Sequence, residues 1–99
     1  MKDHEIYDKA AESSILSAMM GGTEVAAELS AVLKAGDFYI PRNQILFTAI
    51  KQLADAGMPT DFVAVTDKLG MTGNLEKAGG DSYVFELAGD YLSYVHYPH

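Results

Sequence analysis

The sequence contains no cysteine, no long apolar run and few basic residues. The absence of cysteine excludes disulfides and the common thiolate zinc sites, and it fits a reducing compartment. No apolar run approaches the ~20 residues that a membrane span requires. The first ten residues, MKDHEIYDKA, are charged and polar where a signal peptide would be apolar. We therefore expect one soluble, cytoplasmic domain that has no contact with a membrane.

Positive charge is scarce in this chain. Seven Lys and Arg face fourteen Asp and Glu, which gives a formal net charge of −7, and no two basic residues adjoin. Nucleic-acid affinity depends on clustered cations that displace counterions from phosphate. We therefore expect no strong direct DNA binding. The acidic surface is expected to be mostly solvated, and it favours partners with basic surfaces.

A glycine-rich stretch, GMTGNLEKAGG at residues 70–80, holds four of the nine glycines and raises the question of a phosphate-binding loop. A Walker-type loop requires a lysine directly after a glycine, and no glycine in this chain has one. The dinucleotide fingerprint G-x-G-x-x-G is absent as well. The stretch is instead interpreted as a corner between two helices, in which Gly70, Gly73 and the pair Gly79-Gly80 supply positive φ angles.

The residues that usually perform chemistry are not arranged for it. His4, His96 and His99 lie near the termini, and none has a partner four residues away for metal binding on a helix. The carboxylates are scattered singly around helix ends, where capping and solvation explain them. Ser13 and Ser14 have no histidine in the body of the domain to activate them. We expect no catalytic residue, no metal site and no cofactor site in this chain, which disfavours a small enzyme.

Apolar residues at helical spacing predict five helices with short connections, hence an all-α, compact bundle of five to six short helices. The first, at 8–20, ends at Gly21-Gly22. The second begins after Thr23 as its N-cap. Its expected core stripe consists of Val25, Leu29, Val32 and Leu33. The fifth is expected to be capped by Asp81 or Ser82.

The third helix, from Pro41 to about Gly57, is expected to be central, because its apolar residues cover roughly half of its circumference. The segment after Asp61 is ambiguous, since its β-branched residues favour a strand. Asp61 is nevertheless a good N-cap, and no second strand exists for pairing. The sequence therefore predicts a helix there. Aliphatic residues from the third, fourth and fifth helices are expected to be buried together: Leu46, Ile50, Leu53, Leu69 and Leu87.

The last ten residues, DYLSYVHYPH, hold three of the six tyrosines without clean helical periodicity. Tyr and Leu exposed together often mark a contact surface. Equally, a following element of the chain would cover them. Tyr91, Leu92 and Tyr94 are the candidate partner-binding residues, because aromatic anchors near a junction often become buried only in an assembly. The alternative is that they cap the core of this domain.

Three stretches of the sequence resemble the N-terminal domain of DnaB-type replicative helicases. The stretch GMPTDFVAVTDKLGMTGNLEKAGGDSYVFELA resembles that family's G-x-P-x-D-x-x-x-[ILV]-x-x-x-L-x-x-x-G-x-L-x-x-x-G-G-x-x-Y-[LV]-x-x-L. DFYIPRNQILFTAI resembles its D-F-Y-x-x-x-[HN]-x-x-[IL]-F-x-x-[IM] helix entry, and AAESSILSAMM resembles its E-x-x-[IV]-L-x-x-[ML]-[ML] opening helix. These blocks occur in order over about residues 10–88, and most of their positions are packing residues.

The resemblance implies a lead-in at 1–9, a helical head at 10–90 and a junction at 91–99 that leads to a helical hairpin missing here. It implies a role in the N-terminal collar of a hexameric helicase, with other helicase subunits, primase and helicase loaders as partners. ATP and Mg²⁺ are then expected only in a separate C-terminal motor domain. Without the hairpin, this chain is expected to be a monomer or a weak dimer. The alternative is a stand-alone or phage-encoded replication adaptor of the same fold, or the helicase-binding domain of a primase.

Overall fold

The computed structural model describes the backbone of residues 9–96 and the side chains of residues 9–89. Within these residues the fold is all-α, as the sequence predicts, and no β-strand forms. A 3-10 turn, Ala35–Asp37, separates the second and third helices. The α-helices are α1 (Lys9–Gly21), α2 (Thr23–Val32), α3 (Pro41–Asp55), α4 (Phe62–Met71) and α5 (Gly80–His96).

Helix α3 is the centre of the packing, which confirms the prediction from its wide apolar surface. Pro41 is at the first helical position, where its missing N–H costs nothing. The helix contacts α1, α2, α4 and the 3-10 turn. All five aliphatic residues that were expected to be buried together lie in one core cluster, with α1 contributing Leu16 and Met19. The two neighbouring methionines, Met19 and Met20, are core residues as well.

Helix α2 differs from its prediction in its start and in one residue of its core stripe. The N-cap is Gly22, in an extended conformation, so Thr23 is the first helical residue rather than the cap. Val32 is 56% exposed, and the buried residues of α2 are Ala26 and Ser30. These two small side chains face the core where α2 packs against α1 and α3, and the Ser30 hydroxyl donates to the Ala26 carbonyl at 2.5 Å. Of the expected stripe, Leu33 is buried in the core, Leu29 packs against the core and Val25 is partly buried, so the prediction is wrong only for Val32.

The glycine-rich stretch is a corner, as predicted. Gly73 ends α4 with φ 73°, and a Schellman motif forms because Asn74 N–H donates to Leu69 C=O at 2.8 Å and Gly73 N–H donates to Gly70 C=O at 3.2 Å. Gly70 itself lies in α4 and has no positive φ, contrary to expectation. The corner closes the end of one helix and does not expose a row of N–H groups to a phosphate.

The second half of the corner leads directly into α5. Gly79 and Gly80 have φ angles of 104° and 79°, and Gly80 N–H donates to Leu75 C=O at 2.9 Å. Because α5 already begins at Gly80, Asp81 and Ser82 lie in its first turn, and neither is the N-cap that the sequence suggested. Asp61, by contrast, caps α4 as predicted, since its Oδ1 accepts from Ala64 N–H at 3.0 Å.

Candidate interaction surface

A buried carboxylate fixes the entry to the central helix. Glu12 on α1 is fully buried, and its Oε2 accepts a hydrogen bond from the backbone N–H of Tyr39 at 2.6 Å. Its Oε1 accepts from the side-chain amide of Asn43 at 2.7 Å and faces the Ile40 N–H at 3.4 Å. The negative charge therefore lies at the N-terminus of α3, where the helix dipole stabilises an anion. The expectation that all carboxylates are capping or solvated is wrong for Glu12.

Tyr83 on α5 extends this network to a third helix. Its hydroxyl donates to Oδ1 of Asn43 at 2.5 Å, and Asn43 is itself fully buried. The guanidinium of Arg42 lies over the Tyr83 ring, with its carbon 4.0 Å from the ring centroid. Such a cation–π contact contributes about 0.5–2 kcal/mol. The network thus joins α1, α3 and α5 through groups that are almost all satisfied, so these side chains hold the scaffold and are not free to bind a ligand.

The three polar positions of the network coincide with positions of the motifs quoted above. Glu12 is the glutamate of E-x-x-[IV]-L, Asn43 occupies the [HN] position of the helix entry, and Tyr83 is the tyrosine of G-G-x-x-Y. Composition and periodicity gave no sign that they meet. The signal that was available is the recurrence of polar residues at fixed places in motifs that otherwise consist of packing residues.

An open apolar surface lies near the C-terminal end of α3, away from the network at its N-terminus. We use the name α3–α4 groove for a trough of about 570 Å³ between the C-terminal part of α3, the following connection and α4. Three of its side chains are large, apolar and exposed: Met58, Val63 and Met71, at 50%, 63% and 83%. The remaining residues of its lining are Gln52, Leu53, Ala56, Pro59, Asp61, Ala64, Asp67 and Lys68.

A smaller aromatic feature lies between α4 and α5. The rings of Phe62 and Phe85 meet edge to face, with centroids 5.5 Å apart, and Phe85 remains 64% exposed. Edge-to-face pairs of this kind contribute about 0.5–1.5 kcal/mol beyond the area that they bury. Phe62 is half-buried against the core, so this pair mainly anchors α5 on α4. We treat it as part of the scaffold.

The candidate contact residues from the sequence, Tyr91, Leu92 and Tyr94, lie in α5, which continues to His96. The expectation of a segment without helical periodicity is therefore wrong. On an uninterrupted helix, positions 91 and 94 follow Val84 and Leu87 at spacings of seven residues, so they continue the register of the buried face of α5. Leu92 lies off that register. The side chains of all three are outside the described residues, and so are His4 and His99.

Among residues 9–96 no group of three or more His, Cys, Asp or Glu side chains is placed to hold a metal ion. No helix in the same part of the chain is long and apolar enough to cross a bilayer. The α3–α4 groove thus lies on a scaffold that a buried polar network holds together.

The fold defines the class of protein: a small all-α domain with its hydrophobic groove on one edge. The sequence profile of the DnaB-like helicase N terminal domain matches residues 4–99, and this chain belongs to that family. The crystal structure of the N-terminal domain of DnaB helicase from Mycobacterium tuberculosis superposes with a TM-score of 0.77 and 35% sequence identity. That match covers 92% of this chain and 69% of the crystallised chain.

Relatives in sequence are replicative DNA helicases. The chain is 40% identical over 81 residues to the replicative DNA helicase DnaB of Leifsonia xyli subsp. xyli (strain CTCB07), a match that covers 82% of this chain and 18% of that protein. It is 38% identical over 80 residues to the replicative DNA helicase DnaB of Mycobacterium leprae (strain TN), which covers 81% of this chain and 13% of that one. The chain thus spans less than a fifth of the length of these helicases.

Proposed function

We propose that this chain is the head of the N-terminal collar of a hexameric replicative DNA helicase, where it contacts other helicase subunits and engages primase or a helicase loader during DNA replication. The observation that carries the proposal is the likeness to the N-terminal domain of the M. tuberculosis DnaB helicase over 92% of the chain. Replication in a bacterial cell is a cytoplasmic process, so the proposal also implies that location.

The same proposal assigns a role to each segment of the chain and places the catalytic functions elsewhere. Residues 1–9 form a lead-in, residues 10–90 form the head, and residues 91–99 form the junction towards a helical hairpin. Catalysis, ATP and Mg²⁺ belong to a separate C-terminal motor domain. The head contributes no direct strong DNA binding, which agrees with the net charge of −7 and the dispersed cations.

The junction is the surface that we assign to assembly contacts. Positions 91 and 94 of α5 continue the register of Val84 and Leu87. Tyrosine is also among the residues that most often dominate interfaces. Tyr91 and Tyr94, with Leu92 beside them, are therefore proposed as contact residues.

The test uses the full N-terminal region with its hairpin restored, assayed by calorimetry against the cognate primase and the cognate loader. Binding of at least one of them supports the collar role, and binding of neither contradicts it. Tyr91→Ser and Tyr94→Ser keep the length of α5, which a deletion of residues 90–99 does not. Val32→Ser is a matched control at an exposed position on α2. The two tyrosine variants should each lose about tenfold in affinity, equal to about 1.4 kcal/mol, while the control should not change.

The alternative functions predict different outcomes of one further observation. A phosphate-loop ATPase domain encoded downstream in the same gene supports the helicase collar. A gene that ends after the helical region supports a stand-alone adaptor. A primase catalytic domain in the same gene supports the helicase-binding domain of a primase. Unchanged affinity in both tyrosine variants contradicts only the assignment of the contact residues.

A further inference from the structure

The α3–α4 groove has a chemistry that selects its occupant. Its lining includes Leu53, which is 8% exposed and belongs to the core, and also Met58, Val63 and Met71, which are half or more exposed. Large apolar side chains grouped along a concave surface mark a contact site more often than scattered ones do. The groove is thus continuous with the hydrophobic core at its base and open to a partner above.

The length of the groove fits a short helix. Helix α4 forms one wall and has ten residues, which corresponds to about 15 Å at 1.5 Å per residue. A partner helix of about ten residues, or nearly three turns, lies along such a wall with apolar residues at positions i, i+3 or i+4, and i+7. Met58 and Met71 both line the groove, and methionine side chains are flexible and polarizable and adapt to the shape of what binds.

The charged residues of the groove lining indicate the charge that a partner should carry. The lining holds two exposed acids, Asp61 and Asp67, and one partly exposed cation, Lys68, so it carries a net charge of −1. The whole chain carries −7. A second copy of this chain would bring the same negative charge to the groove, and like charges at an interface oppose association.

The parts of this chain outside the structure do not fit the groove either. Residues 1–8 carry one lysine, Lys2, against Asp3, Glu5 and Asp8, a net charge of −2. Residues 97–99, Tyr-Pro-His, carry no formal charge and are too short for a helical turn with three anchors. A helix from another protein, with basic residues beside its apolar stripe, matches both the shape and the charge.

We propose that the α3–α4 groove binds a short, basic amphipathic helix of a partner protein. Its apolar residues would contact Met58, Val63 and Met71, and its flanking Lys or Arg would face Asp61 and Asp67. The inference refines the interaction role proposed above and rests on it only in taking the partner to be a protein. A stable interface usually buries more than ~1,000 Å², which one short helix does not supply, so the contact is expected to be weak.

The test uses two synthetic peptides of about 15 residues that share one leucine stripe at i, i+3 and i+7. One carries lysines on both sides of the stripe, and the other carries glutamates at the same positions. Fluorescence anisotropy against the 99-residue chain should give a Kd on the order of 10–100 µM for the lysine peptide. The Kd of the glutamate peptide should be at least about tenfold higher. Amide chemical-shift changes should be largest around residues 58–71.

Point variants tie that binding to the groove. Val63→Lys places a cation in the middle of the apolar wall, and Val32→Lys is its matched control, because both valines are exposed, at 63% and 56%, and only Val63 lines the groove. Val63→Lys should weaken the lysine peptide about tenfold or more and Val32→Lys should leave it unchanged. Asp67→Lys should lower the affinity for the lysine peptide and reduce the difference in Kd between the two peptides.

Several results would overturn the proposal: equal binding of the two peptides, equal effects of the two valine variants, shifts centred on Phe85, or no saturable binding up to about 1 mM. A concentration-dependent dimer that Val63→Lys abolishes would assign the groove to a second copy, which also overturns it. These readouts use neither primase nor a loader. The groove proposal therefore fails or survives independently of the collar proposal, which is tested by the binding of those proteins.

Discussion

Replacing Glu12 with alanine should destabilise the domain more than any other change to a charged side chain in its described part. The carboxylate is fully buried and accepts short hydrogen bonds from the Tyr39 N–H and from the Asn43 amide. Alanine removes both acceptor oxygens, whereas the donors remain where they are. The variant therefore leaves the buried Asn43 amide and the part-buried Tyr39 N–H without an acceptor, and it removes the anion at the N-terminus of α3.

The magnitude follows from these two effects. A buried donor left without a partner costs about 1–3 kcal/mol; this applies in full to the Asn43 amide and only in part to the part-buried Tyr39 N–H, so the two give about 2–4 kcal/mol. An anion at a helix N-terminus in a partly buried geometry contributes up to ~2 kcal/mol more. Water that enters the space left by the side chain recovers part of this cost. We expect Glu12→Ala to lower the free energy of unfolding by about 3–5 kcal/mol, the range found when a buried charged interaction is broken from one side.

Glu12→Gln separates hydrogen bonding from charge. The carbonyl oxygen of the introduced glutamine would still accept from the Tyr39 N–H, while its amide would donate towards Asn43. The Asn43 amide can rotate by about 180°, so that its oxygen faces the introduced amide and its NH₂ group donates to the Tyr83 hydroxyl oxygen. This rotation restores the network without the negative charge. We therefore expect Glu12→Gln to cost about 1–2 kcal/mol, mainly the loss of the interaction with the helix dipole.

Urea denaturation followed by circular dichroism measures these free energies. Glu28→Ala is the control, because Glu28 is an exposed glutamate in the middle of α2 and its removal should stay within about 0.5 kcal/mol. A loss below about 1 kcal/mol in Glu12→Ala would refute the reasoning. Equal losses of unfolding free energy in the alanine and glutamine variants would show that Glu12 stabilises the domain through its charge rather than through its number of hydrogen-bond acceptors. Should Glu12→Ala fail to fold, a double-mutant cycle of Glu12→Gln with Asn43→Ala still measures their coupling.

Helix positions in this fold are predictable from the sequence because they depend on local physics. Apolar spacing marks the helices, Pro41 marks the start of α3, and Asp61 marks the start of α4. Glycines mark the ends, since the Schellman motifs after α3 and α4 require positive φ at Gly57 and Gly73. All of these signals act over fewer than about seven residues along the chain.

The buried network was missed because it depends on long-range geometry. Glu12 meets its partners 27 and 31 residues further along the chain, and Asn43 meets Tyr83 after another 40. Nothing in the local pattern around a lone glutamate on a helix distinguishes a buried carboxylate from a solvated one. Val32 is the opposite case, an apolar residue that local spacing assigns to the core but that the fold leaves exposed. The buried residues of α2 are Ala26 and Ser30 instead.

The α3–α4 groove was missed for a related reason. Val63 and Met71 belong to one helix, whereas Leu53 and Met58 belong to another helix and its connection, so the groove exists only once α3 and α4 are packed. The sequence instead directed attention to the tyrosines near the C-terminus, where composition alone is conspicuous. That part of the candidate site stays a prediction, since the structure places the backbone of positions 91–94 in α5 and not their side chains.

Three further predictions concern the core, the assembly and the corner. Leu87→Ala, at a side chain 2% exposed, should cost about 2–5 kcal/mol in urea denaturation, and a smaller loss would show that the site collapses around the deletion. Sedimentation of the 99-residue chain should show a monomer or weak dimer at micromolar concentration, and a tight dimer would contradict this. Gly73→Ala should cost about 1 kcal/mol from positive φ alone, because its added Cβ meets nothing within 4 Å. Gly79→Ala should cost more, because its φ is 104° and its Cβ would lie 2.7 Å from Cδ2 of Tyr83, the ring whose hydroxyl holds Asn43. Gly36→Ala, with neither strain nor a close contact, is the control. Equal losses in Gly73→Ala and Gly79→Ala would mean that the tyrosine ring moves aside freely, and that the corner does not position it.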